Sequence, residues 1–148
     1  MHVTYKVWPT AAPHPAFPGV LDWVPLLAVK IDYPAKHSPP SKRFEAVVDS
    51  GSQHTLFHSD IGKSIGIRVE KGIEASISGV VGGVKSPAFF HDVGLYVGAD
   101  IIRIRAGFCD KLPVAGILGR LGFFDNFFVT FDQSSDPGNF EIQRIIRT

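Results

Sequence analysis

The chain has 148 residues, 45% of them apolar, which suits one cored domain and excludes a full α/β barrel or a two-lobed enzyme. Fifteen Lys and Arg balance fourteen Asp and Glu for a formal charge of +1, so no basic stripe points to a nucleic acid and no acidic tract to a disordered arm. A single cysteine, Cys109, excludes an intrachain disulfide and CxxC chemistry, and the longest apolar runs, about five residues, fall far short of the ~20 of a membrane helix. The opening Met1-His2-Val3-Thr4-Tyr5-Lys6 carries no apolar signal core, and a cytoplasmic location is expected.

Twelve phenylalanines, fifteen glycines and eleven prolines, spread through short Val/Ile/Phe runs, predict a mostly β protein without long helices. Residues 1–22 read as a short strand at 4–8 followed by an extended connector, since 9–19 (PTAAPHPAFPG) holds four prolines. Residues 23–148 read as the folded domain. A strand is predicted within 23–33, a wide turn over 34–43, and a return strand at 44–48, with Phe44, Ala46 and Val48 on one face. That strand runs into Asp49-Ser50-Gly51-Ser52, a polar corner.

A short helix is predicted over Ser59–Ile65, capped by Ser59 and ended by Gly66. Strands follow at 66–78, with a turn near Lys71-Gly72, and at 84–90. Between them Gly79-Val80-Val81-Gly82-Gly83 places three glycines in five residues, the chain's most adaptable hairpin tip. Another hairpin spans 88–106, turning near Val97–Asp100. Val114–Gly119 is an apolar strand ending on glycine, with one or two helical turns expected over Arg120–Asn126. Strands at 127–132 and 140–146 flank a turn at 133–139 (QSSDPGN), and the Phe123, Phe124, Phe127 and Phe128 cluster reads as core.

Most chemistry-bearing patterns are set aside. Gly62-Lys63-Ser64 has the tail of a phosphate loop, but Phe57 occupies the required upstream glycine position. His54 and His58 are four apart without the HExxH context, so no metal site is expected. His91-Asp92 and Cys109 read as ordinary packed or paired groups. Asp49 differs, because Gly51 permits close backbone approach and Ser50 and Ser52 supply local hydrogen bonds. Alone, the triplet reads first as an Asx turn joining two strands. Its weight comes from Ile117-Leu118-Gly119-Arg120, which begins 68 residues after Asp49 at a second strand end.

Together these residues resemble the retropepsins, the single-domain aspartic proteases of retroviral type. Phe44–Val48 looks like the strand entering the catalytic loop, Asp49-Ser50-Gly51-Ser52 like the loop, Ile77-Ser78-Gly79-Val80-Val81-Gly82-Gly83 like the flap, and Ile117-Leu118-Gly119-Arg120 like the closing signature; Thr55 matches the family's loop threonine. The likeness covers roughly residues 23–146. It implies a closed antiparallel β-barrel of acid-protease type with one short C-terminal helix. It also implies a homodimer in which two copies of Asp49 share a proton and activate water against a peptide bond, with no cofactor. Ser50 would brace the two loops, Ser52 would donate to the outer oxygen of Asp49, and Gly51 would offer its backbone to substrate. The region 131–146 would contribute to the interface. Gln53, beside the loop, departs from the family, which usually carries there an aspartate that binds substrate backbone and pairs with the arginine at position 120. Arg120 then needs another acceptor, which sequence does not name. An alternative use of the same fold is peptide or protein binding, or assembly, without efficient turnover.

Overall fold

A computed structural model describes residues 1–8, 13–81 and 84–148. Positions 9–12 of the expected connector, and Gly82 and Gly83 of the expected flap tip, lie outside the described residues. In chain order the strands begin with β1 (His2–Thr4), β2 (Lys6–Val7), β3 (Trp23–Val24), β4 (Leu26–Asp32), β5 (Phe44–Val48) and β6 (Leu56–His58). Helix α1 (Ser59–Ser64) follows, then β7 (Ile73–Val81), β8 (Val84–Val97), β9 (Asp100–Cys109), β10 (Gly116–Leu118), β11 (Phe127–Asp132) and β12 (Asn139–Arg144). Among the described residues no helix is long and apolar enough to cross a membrane.

The fold is mostly β. Six strands close a barrel in the order β4-β5-β10-β6-β9-β8, and β8 returns to β4 through Lys30↔Tyr96, Ile31↔Leu95 and Asp32↔Gly94. Antiparallel pairing predominates, as in the expected antiparallel barrel, and within it β5–β10 and β6–β9 run parallel. Strand β7 hangs outside the ring on β8. A separate three-stranded sheet, β1-β12-β11, ties the chain's first strand to its last.

Alternation explains the strands. In β4, Leu27, Val29 and Ile31 are buried while Lys30 points outward beside Tyr96. In β9, Ile102 and Ile104 are buried between exposed Arg103 and Arg105, and from Ala106 to Cys109 every residue is buried as the strand passes into the protein. The main core gathers Phe57, Phe108, Phe123, Phe127 and Phe140, each at most 2% exposed. Burying a side chain of this size stabilises the fold by about 1.5–3 kcal/mol.

The expected C-terminal helix is absent. Residues 120–126 form turns instead, because Gly122 sits at φ +101° and the Asp125 carboxylate accepts the Gly122 N–H at 2.9 Å. The helix is α1, far upstream. Its N-cap is His58 rather than Ser59, with the imidazole Nδ1 accepting the Asp60 N–H at 3.1 Å while Ser59 is buried. The last strand stops at Arg144, and Ile146 stands 84% exposed beyond it.

Candidate functional site

The site is built where three short strands meet. β10 lies between β5 and β6, parallel to the first (Val48↔Leu118) and antiparallel to the second (Ile117↔Leu56). Asp49 therefore leaves β5 at the end of β10, and its N–H donates to the Leu118 carbonyl at 3.0 Å. Asp49 and Gly119 come side by side despite their separation in sequence.

The loop from Asp49 to Thr55 is fastened to 119–121 by backbone. Arg120 N–H donates to Ser52 O at 2.9 Å, Leu121 N–H to Gln53 O at 2.9 Å, and Thr55 N–H to Leu121 O at 3.1 Å. Gly119 has no room for a side chain: a Cβ there would strike the His54 carbonyl and lie 2.8 Å from Ser52 O. Both obstacles are main chain, so neither can rotate away. Thr55, 1% exposed, links the two segments with its hydroxyl, accepting from Gly119 N–H at 3.2 Å and donating to Leu121 O at 2.9 Å.

The Asp49 carboxylate closes a small turn by accepting the Gly51 N–H at 2.8 Å, while the Ser52 N–H reaches the Asp49 carbonyl at 3.2 Å. The expected Ser52 hydroxyl bond to Asp49 is not made. That hydroxyl donates to the His54 carbonyl at 2.8 Å, spent on bracing its own loop. Ser50 and Gln53 are exposed.

A cleft of about 460 Å³ opens over this loop. Its floor and sides are Asp49, Gly51, Ser52, Gln53, His54, Ile117 and Arg120, and β7 supplies Ser76, Ile77 and Ser78 from across the opening. Ile77 is anchored in a second apolar cluster with Leu56, Ala88, Cys109 and Leu112, against which Ile117 packs. Gly79, Val80 and Val81 continue β7 beyond the cleft residues, and Val81 pairs with Val84 after a shift of register. Of the lining residues only Asp49 is acidic.

Arg120 lines the cleft, is exposed, and forms no ion pair among the described residues. His54 also lines it, edge-on to Phe90 with ring centroids 5.2 Å apart, while His58 is committed to capping α1. Among the described residues no group of three or more His, Cys, Asp or Glu is arranged to hold a metal ion. His91 bonds the Val69 carbonyl at 2.8 Å, and Asp92 pairs with Arg105, which holds its carboxyl below the usual range. Sequence reasoning passed over His54, Ser76 and Pro113 as cleft residues. The alternation of Ser76, Ile77 and Ser78 was a usable signal for the second of these; Pro113 had none.

No family model matches the chain, and no curated protein does. Among solved structures, it is similar to one described as EIAV protease complexed with the inhibitor HBY-793, at 23% identity and a TM-score of 0.49. That likeness spans 66% of this chain and 82% of the other.

Proposed function

We propose that the chain is an aspartic endopeptidase, active as a homodimer with one Asp49 from each copy. The observation that carries this reading is Asp49 at the floor of a peptide-sized cleft, on a turn clamped to the end of β10, with no second acid lining that cleft. One carboxylate cannot at the same moment be the ionised base that takes the water's proton and the protonated donor to the carbonyl oxygen. A two-fold axis that brings Asp49 against its own copy supplies the second.

Two carboxylates so close share one proton, because ionising both is costly. The ionised member takes a proton from water as the water attacks the peptide carbonyl. The protonated member donates to the carbonyl oxygen, and the proton later passes to the leaving nitrogen. Gly51 offers backbone to the substrate, Ser50 braces the paired loops, and the end of β7, Gly79–Val81, closes over the peptide to limit water. Gln53 and the loop backbone hold the substrate in register. No cofactor or metal enters the scheme.

A second reading, peptide binding or assembly with little turnover, draws on Ser52, whose hydroxyl is turned to His54 and leaves Asp49 without that donor. The test is cleavage of a diverse unstructured peptide pool across pH by wild type and Asp49→Asn, at matched and serially diluted protein. Asparagine keeps the carbonyl that accepts Gly51 N–H but cannot exchange the shared proton. We expect a folded, silent variant, wild-type specific activity that falls on dilution, and inhibition by a statine-type mimic but not by thiol reagents or chelators. Equal cleavage by the folded variant refutes the mechanism, as does full activity in a persistent monomer; silence from both proteins favours the binding reading.

A further inference from the structure

We propose that Arg120 selects substrates, and that the peptides taken by this cleft carry an acidic side chain near the bond to be cut. The inference rests on the peptide cleft proposed above but concerns a different residue and a different property.

Arg120 is fixed in place by its backbone. Its N–H is held by Ser52 O at 2.9 Å, and its carbonyl accepts the Asp125 N–H at 3.0 Å, so the residue cannot drift from the cleft wall. The residue lines the cleft and is exposed, with no carboxylate within ion-pair distance among the described residues. The residues outside the described set are Pro, Thr, Ala and Gly, so no undescribed acid answers it within the chain. Its immediate neighbour across the backbone ladder is Gln53, an exposed amide that offers hydrogen bonds but no charge.

A guanidinium is always charged, and its planar fork matches a carboxylate with two parallel N–H donors. Arg120 is exposed, so such a pair is modest and salt-screened, enough for a several-fold preference. The cleft's other formal charge is Asp49, whose role in the dyad uses it up. When two copies share one proton between their Asp49 residues, the joined cleft carries one negative charge and two guanidiniums. The remaining positive charge suits an acidic peptide. Because a two-fold axis sets the two Arg120 side chains symmetrically about the dyad, one acid on either side of the scissile bond is expected to suffice, and two to act together.

The experiment compares peptides that differ only by Glu against Gln at positions flanking the cut. Wild type and the Arg120→Gln and Arg120→Lys variants are assayed for kcat/KM at low and high salt. The same peptides, fluorescently tagged, are titrated against Asp49→Asn and Asp49→Asn/Arg120→Gln for binding by anisotropy. We expect wild type to favour Glu over Gln by about three- to tenfold at low salt, less at high salt. Arg120→Gln should abolish the difference while still cleaving the Gln peptide, and Arg120→Lys should restore part of it. A merely structural arginine would instead lower both peptides equally. No Glu preference in wild type, or a preference that survives Arg120→Gln, overturns the assignment. If nothing is cut, the peptidase reading fails by itself, and the anisotropy titration still decides Arg120: acid-selective binding lost with the arginine upholds it, and non-selective or absent binding overturns it.

Discussion

Thr55 offers a sharp test of how the Asp49 loop is held. Valine at 55 keeps the branched shape but removes the hydroxyl that joins the loop to the end of β10. The buried Gly119 N–H loses its acceptor, and an unsatisfied buried donor costs about 1–3 kcal/mol. The Leu121 carbonyl is affected less, because it still accepts the Thr55 backbone N–H at 3.1 Å. Losing the hydroxyl bond there adds about 1 kcal/mol. Thr55→Val should therefore destabilise by about 2–4 kcal/mol, whereas Thr55→Ser keeps the oxygen and loses one buried methyl, about 1 kcal/mol. In urea, with a slope of about 2 kcal/mol/M, the valine midpoint falls by about 1–2 M and the serine midpoint by half a unit or so, about 0.5 M. Matched protein concentrations are required, since a dimer's stability depends on them. A valine variant as stable as wild type, or a serine variant weaker than the valine, would refute this account of the loop.

Gly119→Ala should be more damaging than its single methyl suggests, by about 3 kcal/mol, because the new Cβ meets the main chain of His54 and Ser52; thermal unfolding reads it, and an unchanged melting temperature counts against the packing described. Asp92→Asn removes an exposed pair with Arg105 and should shift stability only slightly. The sign is fixed: the folded carboxyl is depressed below 3.8, so its contribution is present at neutral pH and is lost as pH falls through the folded value. Wild type and Asp92→Asn should thus converge in acid, and a gap that widened there would contradict the pairing.

Much of the site is legible in the sequence because it depends on local rules. The apolar run Phe44–Val48 ending on Asp49-Ser50-Gly51 reads as a strand meeting a tight corner, and Ile117–Gly119 as a second strand end; their adjacency follows from the resemblance rather than from either segment. What stays hidden is non-local. The parallel pairings of β5 with β10 and β6 with β9 join segments far apart in the chain, and no periodicity within either partner announces them. The turns after Gly119 mislead because the composition of 120–126 tolerates a helix, while Gly122 at φ +101° and the Asp125 side chain settle on something else. The Ser52 hydroxyl is misread for a related reason. A carboxylate three residues back and a carbonyl two residues ahead are both within its reach, and only the loop's folded path chooses His54.

The six-stranded ring has a mechanical consequence for β7. Strand β8 is shared: Gly94–Tyr96 closes the barrel on β4, and Phe89–Val97 pairs with β9, but from Ala88 towards Val84 it pairs with β7. Beyond Phe89 the two strands project as a cantilever, and bending it at the root breaks no hydrogen bond of the barrel. What restrains it is an apolar latch, chiefly Ile77, 6% exposed and seated among Leu56, Cys109 and Leu112 beside the cleft, with Ala88 of the ribbon buried in the same cluster. Withdrawing the Ile77 side chain costs about 1.5–3 kcal/mol, which keeps the raised ribbon below about a tenth of molecules. Ile77→Ala should therefore raise the ribbon's amide exchange while the β4–β8 amides keep their protection, and equal loosening of both would mean that ribbon and barrel move as one. The restraint on the ribbon beside the cleft is in this way a small apolar contact rather than any hydrogen bond that closes the barrel.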